Sequence, residues 1–175
     1  MNSRTWKKYE QTVAEEFGMK RALQKGTKTK EDIAPEEGVD AAPWIVDAKL
    51  RKNLSVWRWM EELVEYARAK DKPPILVFRE FPKRQSYAVL EQKWFFSNFR
   101  TNILYFSLQP WSKMGRRNFN KAWRSARTVA GEDRIPGLLM GITQGDIDYV
   151  CIKFENLISL MKAKGMLKGE NDGEV

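Results

Sequence analysis

Ile75-Leu76-Val77-Phe78 is an unbroken apolar run entered through Pro73-Pro74. Side chains of a strand alternate between its two faces, so such a run presents apolar surface on both and needs cover on both. That places a buried strand inside a sheet lying between helices, an α/β arrangement. The neighbouring segments supply the layers. Trp6, Val13, Ala14 and Phe17 recur at helical spacing within residues 4–24, and Trp44 to Leu50 reads as a strand after the turn residue Pro43. Asn53 and Ser55 offer N-caps for a helix whose inner face is Trp57, Met60, Val64 and Ala67 and which runs to about Ala69. Tyr87 to Leu90 is the next strand, after a Lys83-Arg84-Gln85 turn. A closing helix, Phe154 to Ala163, carries Phe154, Leu157, Ile158 and Met161 as core, and Trp57, Trp94 and Trp123 fall on apolar segments suited to packing.

The second half echoes the first. Ala67-Arg68 returns as Ala126-Arg127. Pro74-Ile75-Leu76-Val77 parallels Pro136-Gly137-Leu138-Leu139, and Tyr87-Ala88-Val89-Leu90 parallels Tyr149-Val150-Cys151-Ile152, both at one shared offset slightly longer than that of the Ala-Arg pair. The pattern is that of a degenerate duplication, against the alternative of two ordinary α/β units. At the offset of the Ala-Arg pair, Phe106 and Leu108 are the counterparts of Asp47 and Lys49, so the later half is expected to serve structure and binding.

The chain has 175 residues, 42% of them apolar, which is ample for one domain with a real core. It has no His and one Cys, Cys151. Histidine is the usual general base and the commonest metal ligand, so a Ser-His-Asp triad, an HExxH zinc site and a Cys₂His₂ finger are all excluded. A single Cys excludes internal disulfides and Cys₄ zinc. What remains for an enzyme is carboxylate and lysine chemistry, most naturally with a hard ion such as Mg²⁺. No apolar run reaches the ~18 residues of a membrane helix, and MNSRTWKKYE lacks a signal-peptide core, so a soluble, cytoplasmic protein with no membrane partner is expected. The net charge of +8 points to a polyanionic partner.

The charges are unevenly distributed. Residues 31–47 hold Glu31, Asp32, Glu36, Glu37, Asp40 and Asp47 with no Lys or Arg, then Lys49, Arg51 and Lys52 follow. Residues 105–129 hold Lys113, Arg116, Arg117, Lys121, Arg124 and Arg127 with no acid. An acidic cluster flanked by cations suits an enzyme that holds a metal with carboxylates and a polyanion with the cations; a solvated loop at Glu31 to Glu37 is the plainer reading of those four acids. If Pro43-Trp44 makes a two-residue hairpin turn, Ala42 faces Ile45 and Asp40 faces Asp47. Like charges directly opposed across a ladder repel unless a cation lies between them. Lys49 shares the strand face of Asp47. Glu10 falls within the apolar arc of the first helix, placed either to reach a site or to pair with a nearby Lys at the edge of the arc. In a helix near residues 115–130, Phe119, Ala122, Trp123, Ala126 and Val129 share one side, while Arg116, Arg117, Lys121, Arg124 and Arg127 share the other, a surface for tracking phosphates.

Glu10 on a helix, Asp40, and the Asp47-Ala48-Lys49 triplet on an apolar strand, in that order and followed by a basic stretch and a helix, resemble the PD-(D/E)XK nuclease superfamily, in particular the small phage-encoded endonucleases described as Holliday junction resolvase-like. The resemblance covers about residues 6–95, including the run from Val46 to Trp59 and Pro74 to Phe78. It implies a restriction-endonuclease-like core, a mixed central sheet flanked by helices, over residues 1–100, with a C-terminal α/β extension at 101–168 packed on it and a polar tail at 169–175. It implies that Asp40, Asp47 and the carbonyl of Ala48 bind Mg²⁺, for which Mn²⁺ can substitute. Lys49 would orient the attacking water, and Glu10 would serve a second metal or a metal-bound water. Asp32 is a rival first ligand, although Pro35 argues against a strand at Ile33, and Asp47 stands where the superfamily more often has Glu. DNA is the expected partner, contacted by Arg51, Lys52, Arg116, Arg117, Lys121, Arg124 and Arg127, and branched recombination or repair intermediates are among the expected substrates. Enzymes that cut both strands usually pair two centres, which makes a homodimer the matching expectation. The competing readings are a nucleic-acid-binding protein without catalysis and an accessory protein whose second half is a partner surface.

Overall fold

A computed structural model of the chain describes residues 3–21, 33–34, 43–100, 103–108, 116–132, 134–140 and 149–167. In chain order the elements are α1 (Ser3–Glu16), β1 (Lys20–Arg21), β2 (Ile33–Ala34), β3 (Ile45–Arg51), α2 (Val56–Ala69), β4 (Pro74–Glu80), β5 (Ser86–Glu91), α3 (Gln92–Asn98), β6 (Ile103–Leu108), α4 (Arg116–Ala130), β7 (Ile135–Met140), β8 (Tyr149–Lys153) and α5 (Phe154–Ala163). The strands form one mixed sheet in the order β1-β2-β3-β4-β5-β8-β7-β6. β3 pairs with β4, and β6 with β7, in parallel, each through a crossover helix; the remaining neighbours are antiparallel.

Helices cover both faces, as the doubly apolar run of β4 requires. Ile75 and Val77 join Val46, Ala48, Ala88, Val150 and Ile152 in a core closed by α1, α3 and α5. Leu76 and Phe78 join Ile45, Val89, Leu138 and Cys151 in a second core closed by α2 and α4. Cys151 is fully buried, and burial pushes its thiol well above the ordinary range, so it is an inert core side chain.

The first helix stops at Glu16 rather than continuing to residue 24, because Gly18 adopts a left-handed conformation (φ 66°) that ends it. Ser55 does occupy the N-cap position of α2, without a side-chain capping bond. Helix α3 is an addition to the sequence reading; Phe95 anchors it in the core.

The pairing beside β3 also differs from expectation. A strand antiparallel to β3 is Ile33–Ala34, with Ile33 opposite Val46. The hairpin expected to set Asp40 against Asp47 falls on residues outside those described. Apolar, β-branched Ile33 suits a place in the ladder better than the acid-rich run after it, and Pro35 bounds the strand instead of preventing it, since a residue before proline is driven to extended backbone. Asp32 and Asp40 themselves lie outside the described residues.

The echo between the halves extends to register. Asp47 lies opposite Leu76 in β4, and Phe106 opposite Leu138 in β7, so the two offsets seen in the sequence are reproduced strand by strand. Met60, Leu63, Val64 and Ala67 of α2 are buried, and so are their counterparts Phe119, Ala122, Trp123 and Ala126 of α4, all four at the offset of the Ala-Arg pair. β8 pairs directly with β5, so β8, β7 and β6 continue the sheet of the first half.

Two equivalent tyrosines, Tyr87 and Tyr149, have phenols pushed up to about 12, first by burial, and Tyr9 reaches about 12 for the same reason. A folded-state value above the unfolded value of about 10 means that this contribution to stability is intact below pH 10 and is lost as pH rises towards 12. Melting temperature should accordingly fall from about pH 10 upward. Tyrosinate absorbance from three of the five tyrosines should appear with unfolding rather than before it. Five phenols titrating near 10 in the intact fold would contradict this.

Candidate active site

β3 leaves one side of its pleat apolar and charges the other. Val46, Ala48 and Leu50 face α1, while Asp47, Lys49 and Arg51 follow Ile45 onto the face covered by α2 and α4. Asp47 is 5% exposed, and the Lys49 ammonium donates to its Oδ1 at 2.5 Å. Taking two charges out of water costs several kcal/mol per ion, which mutual attraction only partly offsets. A strand with a purely structural task would carry apolar residues at both positions.

The neighbouring strand extends this polar row. Across the parallel ladder Lys49 lies beside Phe78, and Arg51 beside Glu80. Glu80 is 3% exposed and its Oε2 lies 2.8 Å from the Lys83 ammonium, which also donates to Asn120 Oδ1 of α4 at 2.9 Å. Phe78 itself is roofed by aromatics, with ring centroids 5.5 Å from Tyr87 and 5.3 Å from Phe119 of α4. The charged face of β3 thus adjoins an aromatic wall that the basic helix helps to build.

Of the residues expected to act, Asp47, Lys49 and Arg51 share one face, and Lys52 is exposed just beyond the strand. Glu10 is buried (1% exposed), as the stripe predicted, but on α1, across β3 from Asp47 and Lys49. Among the described residues no group of three or more acidic, Cys or His side chains gathers at one point. Asp47 is a donor of the oxygen type that Mg²⁺ takes, and further carboxylates would have to come from the acidic stretch. Glu80 and Lys83 escaped the sequence reading. Glu80 lies two residues past Phe78 and so on its face, but only the β3–β4 register shows that this face meets Arg51.

The basic surface is more extensive than expected. Arg117, Lys121, Arg124 and Arg127 are exposed on α4. Arg124 and Arg127 also line a cleft of about 690 Å³ with Arg134, Lys153 and Asn156, where Glu132 is the opposing charge. Arg134 and Lys153 are additions from the structure. Lys153 belongs to the same row as the site, since Lys49 neighbours Phe78, Phe78 neighbours Tyr87, and Tyr87 neighbours Lys153. Three strand spacings of about 4.8 Å put the two lysines' backbones roughly 14 Å apart. The positive charge is stronger in this half: Arg58 and Arg68 stand where the second half has Arg117 and Arg127, but the first half has Glu61, Glu62, Glu65 and Glu91 where the second has Asn120, Lys121, Arg124 and Lys153.

Comparison with protein-family models, with curated proteins and with solved structures finds no match. Among the described residues, no helix is long and apolar enough to cross a membrane.

Proposed function

We propose that the protein is a metal-dependent endonuclease of the restriction-endonuclease-like type, hydrolysing phosphodiester bonds of DNA. The observation that carries this reading is the Asp47–Lys49 pair, its carboxylate buried, on a strand face whose row runs through Phe78 and Tyr87 to Lys153 in a cleft of cations. The order of elements that carried the resemblance also supports it: a helix with an inward Glu10, a short strand preceded by acids, a strand with D-x-K, then α2. Asp47 and the carbonyl of Ala48 would hold Mg²⁺ together with an acid from the 31–40 stretch, while Glu10, which lies across β3 from Asp47, would stand apart from that ion. Once bound, the ion would polarise the phosphodiester and lower the pKa of a bound water, so that no histidine base is required. Lys49 would orient that water and stabilise charge on the phosphate, and the basic face of α4 would hold the backbone.

Asp32 and Asp40, both outside the described residues, are the rivals for first ligand; we take Asp32, because it adjoins Ile33 in sequence and Ile33 pairs with Val46, the neighbour of Asp47. Asp32→Ala is expected to lower Mg²⁺- or Mn²⁺-dependent cleavage of labelled duplex, flap and junction DNA by more than about 100-fold, and Asp40→Ala by much less. The reverse ranking would restore Asp40. Wild-type protein that cuts none of these forms with either ion would end the nuclease reading.

The basic cleft, which is formed from described residues where a carboxylate group is not, favours one second reading: binding of nucleic acid without cleavage. Metal separates the two. A ligand that binds only the folded protein raises its melting temperature. Mn²⁺ should therefore stabilise a nuclease and leave a pure binding protein unchanged.

A further inference from the structure

β5 and β8 are equivalent strands of the two halves, and they pair with each other. Val89 lies opposite Cys151, its own counterpart, while Tyr87 meets Lys153 and Glu91 meets Tyr149. Each of these latter pairs is the other with the halves exchanged. Such reciprocity is the mark of an isologous twofold contact, in which residue i of one unit meets j of the other and j meets i. Here it joins two halves of one chain.

The two halves have diverged at the place where chemistry would occur. Asp47 and Lys49 lie opposite Leu76 and Phe78, and their counterparts Phe106 and Leu108 lie opposite Leu138 and Met140. The second half has neither the acid nor the lysine. What it has gained is positive charge at Lys121, Arg124 and Lys153, where the first half keeps Glu62, Glu65 and Glu91; Arg117 and Arg127 already have counterparts in Arg58 and Arg68.

Enzymes that cut both strands of a duplex in one encounter usually pair two centres related by a dyad that matches the dyad of the DNA. We infer that the second half fills the place of a second subunit, so that one chain acts alone, with one half that cuts and one that grips, and that its product is a nick in one strand. This rests on the nuclease reading above and replaces the expected homodimer.

Supercoiled plasmid incubated with the protein and Mg²⁺ or Mn²⁺ provides the test. Open circles should accumulate before any linear form, at a rate proportional to protein concentration. Light scattering after size-exclusion chromatography should give the mass of one chain, 20.5 kDa. Asp47→Asn should remove all product, since no second centre remains. Linear DNA from the outset, a rate rising with the square of concentration, or a two-chain mass would each overturn the inference while leaving the nuclease reading standing; residual nicking by Asp47→Asn would overturn both the inference and the part given to Asp47 in that reading. Absence of cutting with both ions overturns the nuclease reading, and this inference with it.

Discussion

Lys49→Ala is expected to lower metal-dependent cleavage by about 10²–10⁴-fold, the range typical of a positioned proton-transfer group, and Asp47→Ala to abolish it, with DNA affinity largely unchanged in both. Loss of activity alone would not separate chemistry from folding. Lys49 stands 2.5 Å from a carboxylate that is only 5% exposed, and removing one partner of such a pair costs about 3–5 kcal/mol where burial is complete. The informative variant removes both charges while keeping shape, Asp47→Asn with Lys49→Met. Replacing a buried ion pair by uncharged groups of similar volume is often neutral or stabilising. The double variant should therefore melt close to wild type and still fail to cut. If it cuts at the wild-type rate, the pair is structural.

Phe119→Ala should produce the largest loss of stability. Phe119 is 1% exposed, and its ring packs edge-on against Phe78 at 5.3 Å and Tyr87 at 5.0 Å, and stacks on Trp123 at 6.2 Å. Truncation of a buried Phe costs about 3–5 kcal/mol, a large part of the 5–15 kcal/mol that holds a typical domain together. At about 2–4 °C per kcal/mol for a chain of this size, the melting temperature should drop by roughly 6–20 °C. The drop should come as one transition in calorimetry, because Phe119 belongs to the second half while Phe78 and Tyr87 belong to the first. Two separate transitions would mean that the halves fold independently.

The parts of this molecule that could be read in advance are those set by local pattern. The apolar run at Ile75 demanded cover on both faces, the inner stripe of α2 fixed that helix, and the Tyr87/Tyr149 and Pro74/Pro136 correspondences revealed the repeat before any register was known. Asp47 and Lys49 were legible because period-2 geometry alone puts them together. The misreadings concern pairing at a distance. Nothing local marks Ile33 as a neighbour of β3, since that depends on which residues best complete the ladder. Glu80, Lys83 and Lys153 were silent because a charged residue at a strand end looks like any solvated terminus until its neighbour is known. Helix α3 is too short for periodicity to declare it.

The twofold pairing at the centre of the sheet has a consequence for the order of synthesis. β5 is complete by residue 91, but its partner β8 begins at residue 149. Throughout that interval a nascent chain would hold Ala88, Val89 and Leu90, all fully buried in the finished molecule, on an open edge at the middle of the future sheet. Because that edge pairs about Val89 with a near-copy of itself, it is as complementary to the same strand of another nascent chain as to its own distant partner. Covalent linkage of the two halves raises the local concentration of the correct partner and so guards the emerging protein against its neighbours on the same message.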